Sequence, residues 1–186
     1  MCAGKSIGLF GGSFDPPHKG HIVAAREALE KAKLDEIVFV PANVSPLKVG
    51  RMSASNDDRL VMLRLAVADE PRFKVSDYEL RRSGVSFTID TVRHFRAAHP
   101  DDELAFIIGA DAFATLHQWK DADELKKLCG FVVVERTHPA SSTEIRKCFA
   151  GDETSCEVAK LRNCEIINAF LSPAVAEYIR RHKLYI

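Results

Sequence analysis

The chain has 186 residues, 46% of them hydrophobic, and its 26 Lys plus Arg balance 26 Asp plus Glu to a formal net charge of zero. That length suffices for one well-buried domain, and the balance offers no broad basic face for nucleic acid or an anionic membrane, so any anion site must be a local cluster. The five cysteines (Cys2, Cys129, Cys148, Cys156, Cys164) are odd in number and lack C-x-x-C spacing, which argues for free thiols in a reducing compartment and against a disulfide framework or zinc knuckle.

Met1 to Ser6 is too short and polar for a signal peptide, and no apolar run approaches membrane-spanning length, so the expectation is a soluble cytoplasmic protein. Ile7 to Phe10 then reads as a first strand and the periodic segment Ile22 to Leu34 as a helix. Between them lies Gly11-Gly12-Ser13-Phe14-Asp15-Pro16-Pro17-His18-Lys19-Gly20-His21, a strand-to-helix turn. Two adjacent glycines after a buried strand allow backbone amides close to a ligand. Pro16-Pro17 keeps the helix from starting before the His18 to His21 region. The free N–H groups and positive dipole end of that helix then face the turn, which favours phosphate. His18 and His21, three residues apart, share one face of the first turn and can point at one anion. The run is not the Walker A loop, because the Gly-Lys-Ser/Thr ending is absent, nor the dinucleotide fingerprint, whose third glycine is displaced. A zinc ion is a rival occupant, although no cysteine or third histidine stands at a supporting spacing nearby.

Glu36 to Val40, ended by Pro41, reads as a parallel strand buried on both faces, reached by a right-handed crossover. Ala42 to Ser55 is a loop carrying Asn43 and Lys48. Asn56-Asp57-Asp58 is expected to cap a helix to about Asp69, with Arg59, Leu60, Met62, Leu63, Leu65 and Ala66 as core positions. Phe73 to Ser76 is a third strand and Asp77 to Gly84 a loop, after which a helix runs to about Ala98 with Ser86 or Thr88 as its cap. Leu104 to Ile108 is a fourth buried strand ending in Gly109-Ala110-Asp111. Ligands of open α/β sheets sit beyond such carboxyl ends, where the glycine permits close approach and Asp111 can accept from ribose hydroxyls.

Trp119, the single tryptophan, has polar neighbours including Lys120, which favour a loop ring able to stack on a heterocycle over a core filler. A helix from Asp121 to Cys129 leads to a fifth strand, Phe131 to Val134, closed by Glu135-Arg136. Ser141 and Glu144 have capping-box spacing, which accounts for both but not for Arg146. Cys164 to Leu171 is open between strand and helix. Ser172 and Pro173 start a closing helix with Val175, Tyr178 and Ile179 on one face, assigned to packing.

Gly-Gly-Ser-Phe-Asp-Pro-Pro-His-x-Gly-His resembles the phosphate-binding signature of the nucleotidyltransferases, and in this form that of nicotinate mononucleotide adenylyltransferases in particular. Matches continue downstream over most of the chain. The resemblance implies an α/β fold: a Rossmann-like, doubly wound parallel sheet of five or six strands flanked by helices. One domain would span 1–186, its part from about 151 mostly helical and closing the fold. It implies transfer of the adenylyl group of ATP to nicotinate mononucleotide, a step of NAD biosynthesis, with pyrophosphate released and Mg²⁺ accompanying ATP.

His18 and His21 are the implied catalytic pair. They are also implied to bind ATP, together with Gly11, Gly12, Ser13, Phe14, Lys48, Gly109, Asp111, Ser142 and Arg146. The last two fall in Ser141-Ser142-Thr143-Glu144-Ile145-Arg146, which matches the family's Ser-Ser/Thr-x-x-Arg. Nicotinate mononucleotide is implied to meet Ser13, Phe14, Asn43, Lys48, Thr88, Trp119, Lys120 and Arg136. Trp119 would stack on its ring, and the Thr88 backbone would contact its carboxylate. The sequence departs from the pattern in a short link, Thr137 to Ala140, and a long one, Gly151 to Leu171, reading either as a shortened loop with an insertion or as an omitted or rearranged segment. Two other readings stand beside this one: a transferase for nicotinamide mononucleotide or phosphopantetheine, and a non-catalytic nucleotide-binding regulator.

Overall fold

Strands rich in Val, Ile, Leu and Phe on both faces require cover on both, and the chain supplies it with helices. The computed structural model describes residues 4–44, 53–135, 138–150 and 163–186. Its sheet holds β1 (Ser6–Gly12), β2 (Glu36–Pro41), β3 (Phe73–Val75), β4 (Glu103–Gly109) and β5 (Gly130–Val134). All pairs are parallel, in the order β3-β2-β1-β4-β5. The expected doubly wound sheet is therefore present with five strands. Succession runs outward in one direction from β1 to β3 and in the other from β4 to β5, so the topological switch point lies between β1 and β4. Gly12 ends β1 opposite Pro41 of β2, while Phe10 sits opposite Ile107 of β4.

The helices are α1 (Lys19–Lys31), α2 (Asn56–Val67), α3 (Thr88–Ala98), α4 (Ala110–Ala114), α5 (Ala122–Leu128), α6 (Ser142–Phe149), α7 (Asn163–Phe170) and α8 (Pro173–His182). Strand alternation sends Ile7, Leu9, Val38, Phe106 and Ile108 to one face, against Ile89, Val92 and Phe95 of α3 and Leu125 of α5. It sends Ile37, Phe39, Ile107 and Val132 to the other, against Ala25, Ala28 and Leu29 of α1 and Leu63 and Val67 of α2. Each such side chain fully buried is worth about 1.5–3 kcal/mol. A third cluster joins Met62 of α2 to Ile145 and Cys148 of α6, Ile167 and Phe170 of α7, and Val175, Ala176 and Ile179 of α8. The segment left open between strand and helix is thus the helix α7: its buried Ile167 and Phe170 are three apart, a helical spacing.

Three helix starts differ from the expectation. The N-cap of α2 is Ser55, whose hydroxyl accepts the Asp58 N–H at 3.1 Å, while Asn56 is already helical and spends its side-chain amide on Asn43 Oδ1 at 2.6 Å. At α3 the N-cap is Phe87, without a side-chain cap bond, since the Ser86 hydroxyl accepts the Asn43 N–H at 3.1 Å and Thr88 is the first helical residue. Ser141 does occupy the N-cap of α6 but makes no side-chain cap bond.

Cys129, just before β5, is buried. Burial pushes its thiol up to about 11, so at pH 8 it is the unreactive thiol. Native-state alkylation with iodoacetamide at pH 8 is expected to leave Cys129 unmodified in peptide maps, with labelling appearing only after denaturation; rapid native labelling would contradict this burial.

Candidate active site

The carboxyl end of β1 opens into the Gly11 to His21 turn. A Cβ on Gly11 would lie 3.1 Å from Phe106 Cζ, and one on Gly12 3.0 Å from Phe14 Cζ. The two glycines therefore first admit aromatic rings around the turn. Phe14 adopts a left-handed φ of 46° and is buried, its ring edge-on to Phe10 at 5.8 Å and to His21 at 5.0 Å. What Phe14 offers a ligand is its backbone.

The backbone of the turn is held from below. Arg59 of α2 is fully buried; its Nη1 donates to the Ser13 carbonyl at 2.6 Å, and its Nη2 donates to the Ala42 carbonyl and Asn56 Oδ1, both at 2.7 Å. Burial pulls its pKa below the usual guanidinium range, opposed by the charge of Asp15, yet an arginine stays protonated at neutral pH. Asp15, 2% exposed, accepts the Ser53 N–H on Oδ2 at 2.8 Å and, on Oδ1, the Ala54 N–H at 3.2 Å and the Tyr185 hydroxyl at 2.7 Å.

His18 is the N-cap of α1 and His21 its third residue. The His18 N–H donates to His21 Nδ1 at 3.1 Å, and the His21 N–H to the His18 carbonyl at 2.9 Å. The two rings stack with centroids 3.7 Å apart. Because His21 Nδ1 accepts, the proton of the neutral ring resides on Nε2, the donor that a phosphate oxygen needs. Two imidazolium charges about 4 Å apart repel by roughly 4 kcal/mol at an effective dielectric near 20. An anion bound to the pair would offset that repulsion.

The second motif meets the first. Ser142 donates its hydroxyl to the Pro16 carbonyl at 2.9 Å, and Arg146 donates Nη1 to the Asp15 carbonyl at 2.6 Å and Nη2 to Thr143 Oγ1 at 3.3 Å. Across the switch point Gly109 ends β4, and a Cβ there would find nothing within 4 Å. Asp111 is exposed in the short α4, a helix the sequence did not announce.

On the β2 side, Asn43 donates its side-chain amide to the Arg82 carbonyl at 2.8 Å and the Gly84 carbonyl at 3.3 Å, beside Ser86 and the half-buried Thr88. Beneath them Glu79, buried, accepts the Thr91 hydroxyl. Burial raises its pKa above the usual carboxylate range, opposed by hydrogen bonds from Thr91 and Ser86. Trp119 follows a 3-10 turn (Leu116–Gln118) and is half-buried, its ring edge-on to Phe106 at 6.1 Å. One edge of that ring therefore serves the core. Lys120 Nζ stands 4.6 Å over the Phe87 ring.

The structure thus gathers Gly11, Gly12, Ser13, Phe14, His18, His21, Ser142 and Arg146 at one turn, with Gly109 and Asp111 at the neighbouring strand end. Asn43 and Thr88 stand on the β2 side. Trp119 reaches the turn through Phe106, whose ring also faces Gly11. Lys48 and Arg136 lie outside the described residues. Arg59, Glu79 and Tyr185 carry roles the sequence reading did not give them; the one local signal was a charged residue, Arg59, at a core-periodic position. Among the described residues no group of three His, Cys, Asp or Glu could hold a metal ion, so the zinc rival gains no third ligand there.

A parallel sheet with a helix N-terminus and paired imidazoles at its switch point defines a nucleotide-handling α/β protein. The cytidylyltransferase-like family model matches residues 9–148. A "probable nicotinate-nucleotide adenylyltransferase" of Shouchella clausii is 41% identical over 186 residues, covering 97% of each chain. One of the same name from Opitutus terrae is 51% identical over 130 residues, covering 70% of this chain and 67% of its own. Among solved structures, nicotinic acid mononucleotide adenylyltransferase of Plasmodium falciparum complexed with NaAD shares the fold with a TM-score of 0.73 at 19% identity, covering 97% of each chain. The chain belongs to the cytidylyltransferase-like family, in its nicotinate-nucleotide adenylyltransferase branch.

The raised pKa of Glu79 has a stability consequence. The native state binds this proton more tightly than the unfolded chain, so the group's contribution is full below the ordinary glutamate pKa, about 4.3, and falls as pH rises through the higher folded value. Relative to Glu79→Gln, the natural chain is expected to lose stability as pH climbs from 4 toward neutrality, read as diverging urea midpoints. Parallel midpoints across that range would contradict the shift.

Proposed function

We propose that this chain joins the adenylyl group of ATP to nicotinate mononucleotide, releasing pyrophosphate, with His18 and His21 contacting the transferring phosphate. The single observation that carries the reading is the stacked histidine pair at the N-terminus of α1, with Arg146 drawn against the same turn. The names of the relatives supply the acceptor.

An oxygen of the acceptor's phosphate attacks the α-phosphorus in line, the new P–O bond forms, and the bond to the β-phosphate oxygen breaks. A phosphate monoester is already an anionic nucleophile, so no protein nucleophile is needed and the work is alignment and charge stabilisation. Bringing two anions together takes cations. ATP enters as its Mg²⁺ complex: both oxygens of Asp15, the carboxylate of the turn, already accept protein hydrogen bonds, and Mg²⁺ commonly travels on substrate phosphates with much of its water shell. Lys48 and Arg146 add positive charge, and the N–H groups at the start of α1 add their dipole.

In this reading the Gly11 to Phe14 backbone and Ser142 line the triphosphate, while Gly109 and Asp111 take the adenosine side. The acceptor lies toward Asn43, Thr88, Trp119, Lys120 and Arg136, its pyridine ring on the exposed part of Trp119. No helix among the described residues is long and apolar enough to cross a membrane, and the buried free thiols of Cys129 and Cys148 suit a reducing compartment. Both fit a cytoplasmic enzyme.

Removing one preorganised donor to a transition-state oxygen costs about 10²–10³ in kcat. His18→Ala and His21→Ala are each expected to lower kcat by that scale while affinity for a non-hydrolysable ATP analogue changes little. Near-normal turnover in both variants would overturn the assignment. Offering nicotinate and nicotinamide mononucleotide in parallel, with ATP and Mg²⁺ and mass detection of product, tests the acceptor: the higher kcat/KM is expected for nicotinate.

A further inference from the structure

The packing of α8 is satisfied by Val175, Ala176 and Ile179, all buried, and Tyr178 pins the helix to α2 by donating its hydroxyl to Asp58 Oδ1 at 2.9 Å. Beyond α8 the backbone turns twice through the left-handed region, at Lys183 (φ 51°) and Tyr185 (φ 68°). These two turns carry the Tyr185 hydroxyl to the buried carboxylate of Asp15, 170 positions away in the sequence, at 2.7 Å. The Tyr185 ring also lies near Phe149, centroids 6.5 Å apart. A phenylalanine would serve that contact equally, so packing explains the ring and not its oxygen.

Asp15 joins segments that the proposed reaction needs fixed relative to one another. Its Oδ2 and Oδ1 hold the Ser53 and Ala54 N–H groups, where the chain returns from the stretch carrying Lys48. Its own carbonyl is held by Arg146, and the turn it belongs to continues into His18. Without the tyrosine hydroxyl, Oδ1 keeps the 3.2 Å contact to Ala54, a weaker bond than the short charge-assisted one it loses.

We propose that Tyr185 is a positioning residue for the nucleotide site: its hydroxyl fixes the Asp15 carboxylate, and through it the turn and the Ser53–Ala54 strap that flank the triphosphate. The proposal rests on the adenylyl-transfer reading for its substrate, but its first readout needs no acceptor. The test compares Tyr185→Phe, Asp15→Asn and the double variant with the natural chain, by calorimetric binding of a non-hydrolysable ATP analogue with Mg²⁺, steady-state kinetics and thermal unfolding.

Expected for Tyr185→Phe is a loss of analogue affinity and of kcat/KM for ATP of about tenfold, the scale of one hydrogen bond to a charged group. KM for nicotinate mononucleotide should stay within about twofold. The double variant should lose no more than Asp15→Asn alone, as required of two residues acting through one contact. Unchanged analogue affinity, equal losses for both substrates, or additive losses would overturn the proposal, as would a lowered unfolding temperature with intact affinity, the mark of a purely structural bond. A natural chain that binds the analogue but makes no dinucleotide would instead refute the acceptor, and the affinity comparison would still decide the role of Tyr185.

Discussion

A guanidinium with no exposure to water sits beneath the Gly11 to His21 turn, and its hydrogen bonds help define that turn's shape. Arg59 holds the carbonyls of Ser13 and Ala42, which end or follow adjacent strands, and the side chain of Asn56 at the start of its own helix. Stripping a charge of its hydration costs several kcal/mol, a cost met only if its donors find acceptors at good geometry. Two of the three acceptors are main-chain carbonyls, so offsetting much of that cost also fixes the backbone. Two carbonyls of the turn are thus held by arginines, Ser13 by Arg59 and Asp15 by Arg146, which fixes the backbone that leads into α1.

The histidine pair follows from that arrangement. His18 reaches the N-cap because prolines at 16 and 17 deny the helix an earlier start, and His21 then falls one turn on, close enough to stack and to accept the His18 N–H. The same bond selects the tautomer of His21. A lone N-cap serine or aspartate would satisfy the helix end as well, but neither would carry a second ring donor outward. In the proposed function, capping and phosphate contact fall to different atoms of the same two residues.

The strands were legible because a sheet covered on both faces forces near-continuous apolar runs, and the turn was legible because its chemistry is local: glycines, prolines and histidines at fixed offsets. The failures share a different physics. Ser55 displaced Asn56 as a cap because Asn56 was needed by Asn43, a partner in another segment. Neither Ser86 nor Thr88 caps α3, since the Ser86 hydroxyl accepts the Asn43 N–H and Phe87 takes the N-cap. Cys164 to Leu171 could not be assigned because eight mostly apolar residues suit a strand or a helix equally until a groove between α6 and α8 selects one. Arg59 and Tyr185 act on carbonyl and carboxylate groups far along the chain, and no spacing rule announces which acceptor a buried donor will meet.

Trp119 shows how the two halves of the proposed site are mechanically joined. Its ring leans edge-on against Phe106, and Phe106 in turn fills the space that a side chain on Gly11 would occupy. A closely packed interior transmits displacement, because its rings have no voids to move into. The absence of a side chain at Gly11 therefore bears on how far Phe106 can advance, and so on where the exposed part of the tryptophan stands relative to the turn. The Trp119 ring and the Gly11 to His21 turn are therefore coupled through Phe106 of β4, whose ring lies against both.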